Sequence, residues 1–205
     1  MRIDAITTFP NSFDSYMNSS IMKRAQDKDL LQFYSHNLRD FTNDLHKTTD
    51  DKPYGGGCGQ LMMCDPIYKC LEYVKDLCDD NPKTIFLSPC GKQLNDREVD
   101  VLLKEKHLVF VCGHYEGIDE RAYSLADYVY SVGDFVLSSG ELASMVIIDA
   151  VVRKIPGVLN RDESFLDESF ADGLLEPAQY TRPYEYDGKK VPDVLLSGNH
   201  QKIAE

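Results

Sequence analysis

The sequence predicts an α/β fold with a mostly parallel sheet flanked by helices. Short apolar segments typical of strands alternate along the chain with longer segments whose apolar residues recur at helical spacing. One of the short segments, HLVFVC at 107–112, is apolar throughout, which is typical of a strand covered on both faces. Turns rich in small residues follow three of the predicted strands, and ligands of such sheets bind beyond the carboxyl ends of the strands. We therefore expect a ligand site at that edge of the sheet.

The first half of the chain contains two predicted strands and two predicted helices. Residues 3–9 alternate weakly in polarity and end at a proline, which predicts a strand, and 31–35 is a second short strand candidate. Between them, 20–30 has apolar side chains at helical spacing. Asp65 directly before a proline is typical of a helix N-cap, and we expect this helix to run to about Cys78.

The second half continues the alternation. A short buried strand is predicted at 84–87, and Asn95 with Glu98 resembles a capping box at the start of a helix that runs to about residue 104. The continuous strand at 107–112 comes next, followed by another strand at 127–132. An apolar helix at 141–153 is ended by a Pro-Gly pair.

The composition is typical of a cytoplasmic protein. No run approaches the ~18 apolar residues of a membrane span, and the first residues, MRIDAITTFP, carry an acid where a signal peptide would be apolar. The six cysteines form no CxxC pair, which favours reduced thiols, and no two Cys or His residues stand at finger spacing, which argues against a zinc site. Because the net charge is −12, any contact with RNA has to be local.

Three motifs carry the chemical information. VCGHYEGIDER at 111–121 and SVGDFVLSSGELASM at 131–145 each run from an apolar segment into a turn of glycine and small polar residues. Such turns leave the backbone open to close approach, so the pair predicts a pocket built from main chain for a flat polar ligand. YGGGCG at 54–59 lacks the residues of a P-loop and the spacing of a dinucleotide fingerprint, and by itself it indicates only a flexible turn.

These strings, with LRDFTNDLHKTTDDKPYGGGCGQLMM at 38–63 and ESFADGLL at 168–175, resemble the TrmD family of tRNA (guanine-N1)-methyltransferases, which belong to the SPOUT class. The resemblance covers residues 3–200. It implies a deep C-terminal trefoil knot that holds S-adenosylmethionine in a bent shape. It also implies methyl transfer to N1 of the guanine at nucleotide 37 of tRNA, beside the anticodon. Mg²⁺ as a further cofactor, tRNA as partner and a homodimer are expected on the same basis, with no membrane association.

The resemblance also implies the binding residues. Those expected to bind S-adenosylmethionine lie in three loops after strands, and they are Phe86, Leu87, Ser88, Pro89, Gly113, Tyr115, Glu116, Gly117, Ser131, Val132, Gly133, Phe135, Val136, Leu137, Ser139 and Gly140. Those expected to bind the tRNA substrate are His46, Asp50, Tyr54, Gly59 and Ser169. No side chain is expected to be a metal ligand.

Two residues are expected to carry the chemistry. Arg153 is implied to stabilise the guanine oxygen, where negative charge gathers once N1 loses its proton. The family's proposed base is an aspartate directly before Ser-Phe, and this chain has Glu168 at that position with Asp167 one step earlier. Other departures from the family pattern are Cys58, Ser139 and Ala143, where proline, glycine and proline are common.

Three parts are expected along the chain. Residues 1–159 form the SPOUT cofactor-binding and catalytic domain, 160–173 an acidic linker that carries the base, and 174–205 the clipped start of a C-terminal tRNA-binding domain. Two alternatives remain open. A related SPOUT methyltransferase acting on another RNA should lack the GGG and SFADG segments. A non-catalytic S-adenosylmethionine-binding remnant is suggested by the acidic balance and by Glu168.

Overall fold

The computed structural model describes residues 1–159, 169–170 and 173–204. The chain divides into two compact units, Met1–Leu166 and Asp167–Glu205. Most of the predicted linker, including Asp167 and Glu168, lies outside the described residues. Within the part of the chain that is described, no helix is long and apolar enough to cross a membrane.

A parallel sheet forms the centre of the first unit. Its strands are β1 (Arg2–Thr7), β2 (Gln32–Asn37), β5 (Lys83–Gln93), β6 (His107–Val111) and β7 (Tyr128–Ser131). They are arranged in the order β2-β1-β6-β5-β7, and every neighbouring pair is parallel. Two short strands, β3 (Asp50–Asp51) and β4 (Leu61–Met62), form a separate antiparallel pair. The predicted α/β fold with a mostly parallel sheet is confirmed.

Helices cover both faces of this sheet. They are α1 (Asp14–Met17), α2 (Ser20–Asp27), α3 (Cys64–Asp76), α4 (Asp96–Leu103) and α5 (Gly140–Val152), with short 3-10 helices at Pro10–Phe13, Leu38–Phe41 and Glu120–Leu125. One apolar core lies under α2, α4 and α5, and a second lies under α3. Along β6, Leu108 and Phe110 face the first core while Val109 and Val111 face the second. The strand is therefore covered on both faces, as its continuous apolar sequence predicts.

Two predicted helix starts have different outcomes. The Asn95 side chain accepts a hydrogen bond from the Glu98 backbone N–H at 3.2 Å, so the predicted cap of α4 is confirmed. The prediction that Asp65 caps α3 is wrong, because Met63 is the N-cap and the helix begins at Cys64. Asp65 lies inside the first turn and forms an ion pair of 2.6 Å with Lys69, one turn further along. The following proline is tolerated because backbone N–H groups of a first turn have no partner within the helix.

The second unit contains little regular structure in its described residues. Strands β8 (Glu185–Tyr186) and β9 (Lys189–Lys190) form an antiparallel pair, and two short helices follow, α6 (Asp193–Leu196) and α7 (His200–Ala204).

Candidate active site

A cavity of about 660 Å³ opens beyond the carboxyl ends of β5, β6 and β7. Its size lies within the usual range of small-molecule sites. The walls come from a bulged segment within β5 and from the loops after β6 and β7, together with the first residues of α5 and part of the Glu120–Leu125 helix. These are the loops that the glycine- and serine-rich turns of the sequence single out. The predicted ligand edge of the sheet thus carries a cavity.

The first loop is a bulge within β5. Leu87 and Lys92 both pair with Tyr130 of the neighbouring strand, so the residues between them leave the ladder, and Ser88, Pro89 and Cys90 line the cavity. Gly91 closes this bulge against β7. A Cβ atom at Gly91 would lie 2.7 Å from the Tyr130 carbonyl carbon, so a larger residue would push the two strands apart.

The second and third loops pack directly on each other. The Gly140 backbone N–H donates a hydrogen bond of 2.7 Å to the Gly113 carbonyl oxygen. A Cβ atom at Gly140 would lie 2.7 Å from the Gly113 nitrogen, which explains why a glycine begins α5. Tyr115 and Gly117 have φ angles of 59° and 129°, and this tight turn directs the second loop into the cavity wall.

A buried carboxylate fastens the second loop to the rest of the site. Glu141 is 2% exposed, and its two oxygens each lie 2.9 Å from Nε2 of His114. The Thr7 hydroxyl at the end of β1 donates to the same carboxylate. Phe9 packs on the imidazole of His114, with 4.9 Å between the ring centroids. Glu141 therefore joins the end of β1, the second loop and the start of α5.

The structure places the predicted cofactor residues around the cavity, with one exception. All of them except Phe86 line the cavity. Phe86 is fully buried in the core under α3, where its ring packs on Tyr123 at 5.1 Å between centroids. Side chains alternate along a strand, so Phe86 and Leu87 point to opposite faces, and Leu87 reaches the cavity.

Further residues line the cavity that were not predicted from the sequence, namely Cys90, His114, Ile118, Glu120, Tyr123, Val129, Tyr130, Ser138 and Ala143. Cys90, His114 and Ser138 lie inside the predicted loops, and that position was the available signal. Tyr123 comes from the Glu120–Leu125 helix, which carries no turn motif.

The residues predicted to bind tRNA are only partly brought together. Asp50 accepts a hydrogen bond from the Tyr115 hydroxyl, and burial together with this bond raises the pKa of Tyr115. The Glu116 side chain lies over Gly59, where a Cβ atom would be 2.7 Å from the Oε1 carboxylate oxygen. His46 and Tyr54 are exposed and lie outside the cavity wall.

In the second unit, the Ser169 hydroxyl oxygen accepts a hydrogen bond of 3.0 Å from the Glu176 backbone N–H. The predicted base, Glu168, and its neighbour Asp167 lie outside the described residues.

Arg153 lies at the far end of α5 from the cavity. Gly140, the first residue of α5, lines the cavity, whereas Arg153 is the C-cap residue of the same helix. A helix of 13 residues is about 20 Å long at 1.5 Å per residue. One chain therefore assembles the predicted cofactor loops but does not bring Arg153 to them.

The charges of the cavity wall are carboxylates. Glu116 and Glu120 belong to the wall, while no lysine or arginine occurs among the described residues that line it. Beside it, hydrogen bonds from the side chain and backbone of Arg121 lower the pKa of Asp119 to about 2. A wall of backbone groups with carboxylates suits a flat base joined to a cationic group, and its described residues offer no basic side chain to a triphosphate.

Comparisons with known proteins agree with this geometry. The family model for "tRNA (Guanine-1)-methyltransferase TrmD" matches residues 1–205. The tRNA (guanine-N(1)-)-methyltransferase of Anoxybacillus flavithermus is 47% identical over 213 residues, covering 100% of this chain and 84% of the relative. The protein of the same name from Citrifermentans bemidjiense is 51% identical over 206 residues, covering 100% of this chain and 82% of the relative.

A solved structure is also similar. The crystal structure of tRNA (m1G37) methyltransferase from Aquifex aeolicus matches with a TM-score of 0.83 and 38% identity, covering 100% of this chain and 86% of that chain. The family match over the whole chain, the relatives and the shared fold lead to one conclusion: the chain belongs to the TrmD family of tRNA (guanine-1)-methyltransferases.

Proposed function

We infer that this chain transfers a methyl group from S-adenosylmethionine to N1 of the guanine at nucleotide 37 of tRNA. The observation that carries the inference is that loops characteristic of the family build one cavity, in a chain that the family model matches from end to end. The test is methyl incorporation into a matched pair of tRNAs that differ only in having guanine or adenine at nucleotide 37. We expect transfer to the guanine form alone. Transfer to both, or to another RNA only, would favour the alternative of a related SPOUT enzyme.

The residues fit the cofactor. S-adenosylmethionine supplies an electrophilic methyl group on a sulfonium. The backbone groups of the loops that contain Ser88, Gly113 and Gly140 are available to the adenine, and the carboxylates of Glu116 and Glu120 suit the positive charge. With the cofactor held by these loops, its methyl group would be the one transferred to N1 of the guanine.

Two side chains are proposed to activate the guanine. Guanine N1 is a weak acid, so a base has to be placed beside its proton while the neighbouring oxygen is polarised. Glu168 takes the proton from N1. The Arg153 guanidinium stabilises the negative charge that develops on the guanine oxygen.

We predict that Glu168→Gln lowers the single-turnover rate by about 10²–10⁴, the usual cost of losing a positioned base. The binding constant for S-adenosylmethionine should stay nearly unchanged, because the cofactor loops are untouched. Asp167→Asn is the matched control and should have much less effect. A larger loss in the Asp167 variant would place the base one residue earlier, and negligible turnover of the unmodified chain at saturating tRNA would favour a non-catalytic remnant.

Mg²⁺ is proposed as a second cofactor. Magnesium is usually bound by one or two carboxylates together with substrate phosphates. Glu116 and Glu120, the carboxylates among the described residues of the cavity wall, are already proposed to face the positive charge of the cofactor, so no side chain is proposed as a ligand of this ion.

A homodimer is proposed because one chain leaves the site incomplete. Leu142 and Val146 of α5 are each 54% exposed, one turn apart on the same face of the helix. Arg153 follows seven positions after Val146, so it lies near this face. Two copies that pack these faces together with their α5 helices antiparallel would place each Arg153 near the cavity of the other chain. The exposed apolar side chains would be buried by the same contact.

A complementation experiment tests the shared site. Arg153→Ala and Gly140→Val chains are each expected to be inactive, the second because Gly140 has no room for a side chain against Gly113. Random mixing should restore about a quarter of wild-type activity, since half of the dimers are mixed and each carries one intact site. A mixture of Arg153→Ala with Glu168→Gln is the control and should stay inactive if both residues serve the same cavity. No recovery in mixed dimers shown to form would mean that each chain builds its own site.

The finer structural predictions are proposed on the same family basis. These are the trefoil knot, the division into domains at 1–159, 160–173 and 174–205, and a cytoplasmic location. The three loops proposed to form the knot are those that line the cavity.

A further inference from the structure

A second group of ligand-type side chains lies at the opposite end of β6 from the cavity. His107 is the first residue of β6, and Cys78 and Asp80 lie in the turn after α3. One ligand atom of each residue, the Cys78 sulfur, an Asp80 carboxylate oxygen and a His107 ring nitrogen, lies within 4.8 Å of the other two. The imidazole is buried, the thiol is half-buried and free, and the aspartate is exposed.

The hydrogen bonds of His107 leave a position for a cation. Its Nε2 atom lies 2.8 Å from a carboxylate oxygen of Asp4, and an ionised carboxylate only accepts, so Nε2 carries a proton. Its Nδ1 atom lies 2.8 Å from a carboxylate oxygen of Asp80. In a neutral imidazole this atom would direct a lone pair at another acceptor. The contact is therefore favourable only with a positive charge at Nδ1, supplied by a second proton or by a metal ion.

The surrounding groups favour a metal ion. A ligating histidine usually donates its other N–H to a carboxylate, which is the relation between His107 and Asp4. Arg2 donates to the Cys78 sulfur and to both carboxylate oxygens of Asp4, so it contacts one ligand directly and orients the carboxylate partner of the other, His107. The positive charge of Arg2 is balanced by Asp4, which leaves the Cys78 thiolate and Asp80 to balance the bound cation.

We propose that Cys78, Asp80 and His107 bind a zinc ion, with water as the fourth ligand. Sulfur, imidazole nitrogen and carboxylate oxygen are the donor atoms that zinc takes in proteins, and this set excludes the hard cations Mg²⁺ and Ca²⁺. Zinc bonds of about 2.0–2.3 Å require small adjustments of the three ligand atoms, which the exposed Asp80 side chain permits. The ion would join the turn after α3 to the start of β6.

The sequence spacing argued against zinc for a clear reason. Cys78 and Asp80 stand 27 or more positions before His107, and only the fold brings them to the first residue of β6.

The experiment uses cobalt as a spectroscopic probe of the full chain. The protein is treated with a chelator, its thiols are shown to be reduced, and Co²⁺ is titrated in. We expect saturation at one ion per chain, a thiolate-to-cobalt charge-transfer band and the visible spectrum of tetrahedral cobalt. Adding Zn²⁺ should abolish the spectrum by displacement. Cys78→Ser should remove the charge-transfer band and weaken Zn²⁺ binding by at least about 10-fold, and Asp80→Asn should weaken it without removing the band.

Cys58→Ser is the matched control, because Cys58 is an exposed thiol outside this cluster, and it should leave the spectrum unchanged. Three outcomes would overturn the proposal. The band could be absent in the unmodified chain, in which case an imidazolium between two carboxylates accounts for the cluster. It could persist in Cys78→Ser, or it could disappear in Cys58→Ser.

Discussion

Two buried carboxylates, each hydrogen-bonded to a histidine, lie at opposite ends of the neighbouring strands β1 and β6. Asp4 of β1 bonds to His107, the first residue of β6, and is fully buried. Glu141 bonds to His114, which follows β6 by a few residues, and to Thr7, the last residue of β1. The chemistry of the two pairs is alike, but their surroundings differ, and so do the parts of the molecule that each pair holds.

Asp4 holds strands, whereas Glu141 holds a loop. Asp4 accepts hydrogen bonds from Arg2, His36 and His107, which belong to three adjacent strands. Burial alone would raise the pKa of Asp4, but these hydrogen bonds outweigh it and hold the pKa well below its usual range. Glu141 instead has one histidine from a cavity loop and one neutral hydroxyl. We therefore expect Asp4 to act on stability and Glu141 to act mainly on the geometry of the cavity.

The largest expected effect is that of Asp4→Asn on the free energy of unfolding. The change leaves the half-buried Arg2 guanidinium beside a neutral amide, and breaking the ion pair of a fully buried carboxylate costs up to about 3–5 kcal/mol. Urea denaturation measures it. Asp65→Asn is the matched control, because it breaks an exposed ion pair with Lys69 worth about 0–1 kcal/mol. Similar losses in the two variants would show that the buried network adds no special stability.

The second expected effect is that of Glu141→Gln on cofactor binding. Gln keeps the size of the side chain but removes the charge that fixes His114, so the second loop is held less firmly against α5. A hydrogen bond to a charged group is worth about 1.5–3 kcal/mol. We expect the Kd for S-adenosylmethionine to rise roughly 5- to 30-fold, which corresponds to about 1–2 kcal/mol.

Isothermal titration of both variants under folding conditions separates the two roles. Asp4→Asn protein that remains folded should bind S-adenosylmethionine with an unchanged Kd, whereas Glu141→Gln should not. An equal rise of Kd in both would mean that the two pairs act as one network, and the contrast between them would fail.

The residues at the cavity end of the sheet can be predicted from the sequence better than those at the opposite end. The loops after β5, β6 and β7 are marked by local signals, since glycines and serines stand directly after apolar runs. Gly113 and Gly140 are therefore predicted from short sequence motifs, although the motifs do not predict that the two residues contact each other. The prediction that Phe86 binds the cofactor rests on the loop motif, and a loop motif gives no information on which face of a strand a side chain takes.

The amino end of the sheet carries no comparable local signal. Asp4 and His107 are 103 positions apart, and the polar residues of their strands follow no pattern that would pair them. A strand buried on both faces gives no alternation that would show which of its polar residues find partners. Helix α3 illustrates the same limit at short range. Whether Asp65 caps the helix or pairs with Lys69 depends on where the chain enters the helix, and that is set by the preceding short strand rather than by the local sequence.

The smallest expected effect is a pH dependence of the free energy of unfolding that comes from Asp119, beside the cavity. Asp119 follows the second loop, and its pKa of about 2 lies below the value of about 3.9 for an unfolded aspartate. A group with a lowered folded pKa adds stability above its unfolded pKa and loses it as the pH falls through its folded pKa. The contribution of the Asp119 charge should therefore be complete above pH ~4 and disappear toward pH ~2.

Asp119→Asn isolates the contribution of the Asp119 charge, because asparagine caps a helix as well as aspartate does but carries no charge. We expect the variant to be slightly less stable than the wild type at neutral pH, because the Arg121 partner is largely exposed and the pair is screened by water. The difference in unfolding free energy, measured by urea denaturation at pH values from 7 downward, should narrow below pH ~4. A difference in unfolding free energy that stays constant with pH would assign the effect to the shape of the cap rather than to its charge. Of the three carboxylates, the charges of the buried Asp4 and Glu141 would then be the ones that matter to the fold and to the cavity.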